Sequence, residues 1–188
     1  MDEIANKDCG YLELILGCMF SGKTTRLLDI HKKYSICDIS CCVINFKEDV
    51  RYSQTEMMSH DKKGVPCLFS EKLENALIEE NLEKYDVFLI NEGQFFEDLN
   101  IQVKKLVLTH KKKVYICGLD GDFEREKFGS LLDLIPFADK FYKLYAICKL
   151  CKNGIRASFS KRISNEKQQT VIGSDNYIPV CRKCYEMC

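Results

Sequence analysis

Tyr11-Leu12-Glu13-Leu14-Ile15-Leu16-Gly17-Cys18-Met19-Phe20-Ser21-Gly22-Lys23-Thr24 is the stretch whose reading decides the fold. The run Tyr11 to Leu16 is apolar and too short for a helix, so it predicts a buried strand. The eight residues that follow, Gly17 to Thr24, match GxxxxGK(S/T) at every fixed position. They open a helix predicted over Lys23 to Lys33, which carries Leu27, Leu28 and Ile30 among charges. Such a loop is an anion cradle. Its glycines let the backbone of Gly17, Cys18, Met19, Phe20, Ser21 and Gly22 curl so that successive amides point inward, and the helix N-terminus adds partial positive charge. Lys23 can reach terminal phosphates and the Thr24 hydroxyl can ligate magnesium, so a nucleoside triphosphate is the expected guest.

Outward from the cradle, Ile39 to Ile44, Pro66 to Phe69, Val87 to Ile90 and Val114 to Cys117 read as further buried strands. Glu71 to Leu82 places Leu73, Leu77 and Ile78 at helical spacing, and Ile101 to Leu108 is similarly amphipathic. Alternating strands and helices predict an α/β fold, a P-loop parallel sheet flanked by helices. After Leu144 the pattern becomes cysteine-rich, with a polar stretch from Ser158 to Thr170. Two units are expected, a nucleotide-binding domain over 1–144 and a small metal-binding domain over 145–188.

The strand Val87 to Ile90 runs into Asn91-Glu92. A carboxylate emerging there, at the carboxyl edge of a parallel sheet beside the cradle, can accept a proton from an attacking hydroxyl. The plainer reading makes Glu92 a favourable first-turn acid of the next helix. Asn91 cannot replace a carboxylate charge for charge, but its amide oxygen can accept hydrogen bonds from magnesium-bound waters, leaving Thr24 and the phosphates to ligate the ion.

The pairs Cys148-Lys149-Leu150-Cys151 and Cys181-Arg182-Lys183-Cys184 form two CxxC knuckles, a four-thiolate set suited to tetrahedral structural zinc. Redox pairs or disulfides are the rival reading. The opening Met1 to Cys9 lacks a basic stretch followed by an apolar run, which predicts no export signal, no membrane span, reduced thiols and a cytoplasmic location. The other eight cysteines, among them Cys41, Cys42 and Cys117 in strands, read as small buried hydrophobes. The chain has 188 residues, with 28 Lys and Arg against 28 Asp and Glu. A net charge of zero argues against a dedicated nucleic-acid binder. A composition 46% hydrophobic and 30% charged, with 3 prolines, excludes disorder.

Cradle, acidic strand and knuckles, in this order, resemble the type II thymidine kinases, the zinc-containing family of cells and large DNA viruses. The resemblance runs from about Tyr11 to Cys184. Its most specific stretches are Gly17 to Thr24, Glu92 to Phe96, Leu119 to Phe123, Ala157 to Arg162 and Val180 to Tyr185. The resemblance implies ATP-dependent phosphorylation of the 5′-hydroxyl of thymidine, with Mg²⁺ accompanying ATP and the zinc-anchored segment acting as a lasso over the base. It implies Glu92 as general base, Lys23 and Thr24 as phosphate and magnesium contacts, and Arg51 as a basic residue near the transferring phosphoryl group. Phe95, Phe123 and Tyr177 match aromatic residues that enclose the nucleoside. Met19, Leu119 and Ser160 resemble the pocket around the pyrimidine 5-substituent, and backbone groups near Val171 and Ile172 the hydrogen-bonding edge. A homotetramer and feedback inhibition by dTTP are further expectations from the family, and the short C-terminus resembles compact viral members.

The chain departs from the family pattern at Asn91, where aspartate is usual, and at Arg26, where an acid is common. The stretch from Cys151 to Ala157-Ser158-Phe159-Ser160 is about two residues longer than usual, and Gly173-Ser174-Asp175 about one shorter. Two alternatives accompany the kinase reading: a catalytically impaired kinase-like nucleotide-binding protein, motivated by Asn91, and a P-loop ATPase switch whose zinc knuckles bind nucleic acid. Neutral charge weighs against the switch, and a base-reading NKxD motif is absent, since Asn6-Lys7-Asp8-Cys9 fails its last position.

Overall fold

The structure, a computed structural model, describes residues 9–48, 55–58, 64–171, 173 and 175–187. The strand after which the cradle follows, β1 (Tyr11–Gly17), leads into α1 (Lys23–Ile36) and β2 (Cys41–Phe46). A short antiparallel ladder, β3 (Glu56–Met58) with β4 (Gly64–Pro66), precedes β5 (Leu68–Ser70), α2 (Leu73–Ala76), α3 (Glu79–Lys84) and β6 (Val87–Ile90). Then come α4 (Leu99–Lys104), β7 (Lys113–Gly118), a 3₁₀ segment over Leu131–Phe137 and β8 (Lys140–Leu144). The main sheet has six strands in the order β5-β2-β6-β7-β1-β8, and every pairing is parallel.

Register carries the functional consequence. Ile44, Ile90, Ile116 and Leu14 form one row across the sheet. The cradle after β1, Asn91-Glu92 after β6 and Leu119 after β7 therefore leave the sheet at the same carboxyl edge, where ligands of open parallel sheets bind.

Both faces of the sheet are covered. On one, Leu14, Ile44, Phe88, Ile90 and Ile116 pack against Leu73, Leu99, Val103, Leu106 and Leu131, all buried. On the other, Ile15, Val43, Leu89 and Tyr115 pack against Leu27 of α1 and Met57 of β3. This two-sided burial explains why these strands read as near-continuous apolar runs. Each fully buried Leu or Ile stabilises the fold by roughly 1.5–3 kcal/mol relative to an exposed one.

The elements differ from expectation in several places, and the buried strand predicted over Pro66 to Phe69 is the end of β4 and the start of β5, with Leu68 exposed. The helix predicted over Glu71 to Leu82 is two short helices broken at Leu77 and Ile78, and the Asn81 side-chain amide donates to the Ala76 carbonyl left open by the break, at 2.8 Å. The Ile101 to Leu108 helix begins at Leu99 and widens into a π-turn over Lys105–Thr109, which puts both Leu106 and Val107 in the core while Leu108 stays exposed. β8 was not expected. It is an edge strand whose charged residues Lys140 and Lys143 hide it from a search for apolar runs.

Beyond β8 the chain forms two small antiparallel ladders, β9 (Ala146–Ile147) with β10 (Arg156–Ala157), and β11 (Phe159–Arg162) with β12 (Tyr177–Val180), then α5 (Arg182–Glu186). Their core of Ala146, Cys148, Ala157, Ile178, Val180 and Cys181 includes one residue of the cradle, Cys18. The tail therefore packs directly on the loop after β1. Among the described residues no helix is long and apolar enough to cross a membrane.

Candidate active site

The cradle is built where β1 hands over to α1. Gly22 has φ +82°, a conformation that costs an L side chain, and a Cβ at Gly17 would lie 2.6 Å from the Leu144 carbonyl oxygen. Lys23 is only 8% exposed, and its ammonium donates to the Cys18 carbonyl at 2.8 Å. An ammonium has three donors, so a buried one is suited to an anionic guest. Ser21 Oγ is likewise buried, and among the described residues it has no hydrogen-bond partner. The residues present fit a phosphate.

Across the carboxyl edge, Asn91 is 2% exposed and joins three elements. Its Oδ1 accepts from Thr24 Oγ1 at 3.3 Å and from the Cys117 thiol at 2.8 Å, and its Nδ2 donates to Asn45 Oδ1 at 2.8 Å. The amide oxygen thus faces the hydroxyl expected to ligate magnesium. Glu92 follows with φ +54°, ψ +45°, a left-handed conformation that is strained for a residue with a Cβ. Gln94 holds the carboxylate, donating from Nε2 to Glu92 Oε2 at 2.7 Å, while its own Oε1 accepts from the Leu119 backbone N–H at 3.0 Å. Glu92 precedes a single 3₁₀ turn, Gly93–Phe95, and it is 8% exposed.

One cleft of about 1040 Å³, counting its open mouth, is lined by Lys23, Thr24, Asn91 and Glu92 together with Met19, Phe95, Leu119, Phe123, Phe128, Ser160, Val171 and Tyr177. Of the expected site residues, Arg51 and Ile172 lie outside the described residues. The rest of the phosphate, magnesium and nucleoside sets either line this cleft or belong to the loop that edges it. Ser160 also ties the tail to the cradle, its Oγ accepting from the Met19 N–H at 2.9 Å. Cys18 Sγ donates to the Ala157 carbonyl at 3.4 Å, and burial raises its thiol pKa, so it is a packed thiol.

Sequence reasoning missed several residues that shape the cleft. Gln94 sits inside the Glu92 to Phe96 string but had no assigned role. Phe46 stacks on Phe95 with centroids 5.1 Å apart, and Phe128 meets Phe95 edge-on at 5.3 Å. Asp122 Oδ1 accepts from the Glu124 and Glu126 N–H groups at 2.9 Å, which fixes the turn carrying Phe123. Cys117 was read as a strand residue and Asn45 lies one residue past the predicted strand Ile39 to Ile44, yet both address Asn91. A polar residue at the last positions of a buried strand was the available signal for Asn45.

The four expected zinc ligands come together. The sulfur atoms of Cys148, Cys151, Cys181 and Cys184 all lie within 4.8 Å of one another, with Cys151 Sγ 3.7 Å from Cys181 Sγ and 3.3 Å from Cys184 Sγ. A tetrahedral zinc with ~2.3 Å bonds to sulfur requires S···S separations near ~3.8 Å. Burial opposes ionisation of Cys148, but backbone N–H groups of Cys151, Cys181 and Leu150 outweigh it and bring the thiol down to about 6. Cys184, crowded by Cys151 and the other knuckle thiols, is pushed up to about 12. Four thiols this close repel one another as they ionise, and a bound cation would relieve that repulsion. The donors fit a metal such as zinc.

Residues 10–185 match the family model for thymidine kinase. The chain belongs to the thymidine kinase family. Curated relatives agree along nearly their whole length. The thymidine kinase of Sheeppox virus (strain KS-1) is 38% identical over 179 residues, 95% of this chain and 98% of the relative. That of Yaba monkey tumor virus (strain VR587) is 40% identical over 183 residues, 96% and 97% of the two chains. That of Vaccinia virus (strain Western Reserve) is 39% identical over 177 residues, 94% and 97%. The matched residues take in both the sheet with its cradle and the tail whose four cysteines could hold a metal.

Proposed function

We propose that the chain is an ATP-dependent thymidine kinase that transfers the γ-phosphoryl group of ATP to the 5′-hydroxyl of thymidine, giving dTMP. One observation carries this reading. A single cleft is lined by a buried lysine, the first turn of α1 and a carboxylate together with an aromatic, partly polar set of side chains. An ATPase switch needs no such aromatic set, and the neutral chain offers no excess of positive charge for nucleic acid.

In this reading the phosphates of ATP lie along Gly17 to Thr24, with Lys23 against the terminal groups. Thr24 and Asn91 would hold the Mg²⁺ that arrives with ATP and neutralises charge on its phosphate oxygens. Glu92 accepts the 5′-hydroxyl proton as the oxygen–phosphorus bond forms and the bond to the β-phosphate oxygen breaks, releasing ADP. Gln94 supports this by keeping the carboxylate in one orientation. Arg51 is proposed to steady the transferring group. Phe95, Phe123 and Tyr177 enclose the nucleoside, Met19, Leu119 and Ser160 meet the pyrimidine 5-substituent, and the backbone near Val171 and Ile172 reads the base edge.

The tail is proposed as a lasso domain over 145–188, anchored by structural zinc on Cys148, Cys151, Cys181 and Cys184, against a kinase domain over 1–144. A cytoplasmic homotetramer inhibited by dTTP completes the proposal on the strength of the family. The test is ATP consumption by the zinc-loaded chain with and without thymidine, with identification of the product. Thymidine-dependent formation of ADP and dTMP in equal amounts is the expected result. Hydrolysis stimulated by nucleic acid would favour the switch, and nucleotide binding without turnover the impaired protein.

A further inference from the structure

β11 ends at Arg162, and the chain then crosses residues 163–171, which belong to no strand or helix, before β12 starts at Tyr177. Backbone carbonyls outside regular structure must find donors elsewhere. Here one guanidinium supplies them. Arg162 donates through one terminal nitrogen to the carbonyls of Glu166, at 3.0 Å, and Gln168, and through the other to the carbonyl of Gln169, at 3.0 Å, and to the Tyr177 hydroxyl.

The same guanidinium lies 3.7 Å from the centroid of the Phe123 ring, close enough for a cation–π contact. Tyr177 passes the restraint on, its hydroxyl donating to the Val171 carbonyl at 3.2 Å. Gln169 fixes the far side, with Nε2 2.7 Å from Asp122 Oδ2. Phe123, Gln169, Val171 and Tyr177 all line the cleft, and Arg162 touches or restrains each of them.

We propose that Arg162 is the positioning residue of the nucleoside-binding loop, gathering its carbonyls, the Phe123 face and the Tyr177 hydroxyl so that the wall of the cleft is set before substrate arrives. The proposal rests on the reading of this cleft as the thymidine site. Arg162 is not catalytic. The distinction between arginine and lysine decides the chemistry, because only a planar fork donates to several carbonyls at once while stacking on a ring. A wall ordered in advance spares binding the entropy of ordering it.

The test compares the zinc-loaded full chain with Arg162→Lys and Arg162→Ala. The thymidine KM is expected to rise about tenfold in Arg162→Lys and further in Arg162→Ala, with kcat at saturating thymidine and the ATP KM changed less than about twofold. Amide hydrogen exchange over 163–171, measured without nucleoside, is expected to speed up in Arg162→Lys at unchanged zinc content. An unchanged thymidine KM in Arg162→Lys, or equal losses in kcat and both KM values, overturns the proposal. If the unaltered chain phosphorylates no nucleoside, the functional reading fails. The exchange measurement still decides Arg162, since unchanged protection of the loop refutes it and lost protection upholds it.

Discussion

Glu92→Gln is the narrowest change that tests the chemistry. It keeps the volume and the hydrogen bond from Gln94, yet removes the proton acceptor. We expect kcat to fall at least ~10²-fold with thymidine binding nearly unchanged, read from turnover together with equilibrium binding. Near-normal turnover would return Glu92 to a purely structural role. Asn91 makes the second test at this scale. Its Oδ1 is shared by Thr24 and Cys117, and that oxygen is neutral where an aspartate would bring charge. Asn91→Asp should lower the magnesium concentration for half-maximal rate, provided the Asn45 amide turns its donors toward the new carboxylate. A magnesium titration that does not move would remove Asn91 from the metal shell. Lys23, Thr24 and Glu92 were legible because their spacing is itself the chemistry. Gln94, Asn45 and Arg162 were not, because each acts through contacts across 2 to 46 residues of chain that no local pattern announces.

At the level of elements, the interior strands of the main sheet could be read from their apolar runs. Val87 to Ile90 is four fully covered apolar residues, whereas β8 alternates at the sheet edge and passes for a polar segment. Helix α1 was legible from its amphipathic face, but the α2–α3 break is capped by a local side-chain hydrogen bond from Asn81 that apolar periodicity does not reveal. The turn after Phe128 joins element to site. Gly129 has φ +61°, and a Cβ there would lie 2.1 Å from the Gln94 carbonyl oxygen, so a side chain at 129 must displace the residue that holds Glu92. Gly129→Ala is expected to destabilise the chain by about 1–3 kcal/mol and to lower kcat together with it. A shifted urea midpoint alongside the kinetic loss is the signature. A stable variant of full activity would mean that the turn relaxes without moving Gln94.

Over the whole molecule, two cores meet at the cradle. The sheet buries its own apolar faces, and the tail builds a small core that includes Cys18 and two of the four clustered cysteines, Cys148 and Cys181. Tyr185, next to Cys184 on α5, donates from its hydroxyl to the Phe123 carbonyl at 2.6 Å. The knuckles thus reach the nucleoside wall through a hydrogen bond from Tyr185 and the cradle through packing on Cys18, and metal loss should act unequally on the two substrates. Cys151→Ser, or stripping the metal with a chelator, is expected to raise the thymidine KM severalfold while ATP binding changes little. Far-UV circular dichroism of the sheet should survive, because the buried parallel strands do not draw on the tail for their core. Equal loss of both substrates with collapse of the whole spectrum would instead make the chain one cooperative unit, with the division near residue 144 only a boundary of composition. Native protein that carries no zinc when first purified would remove the anchor itself, and the thiol cluster would then need another occupant.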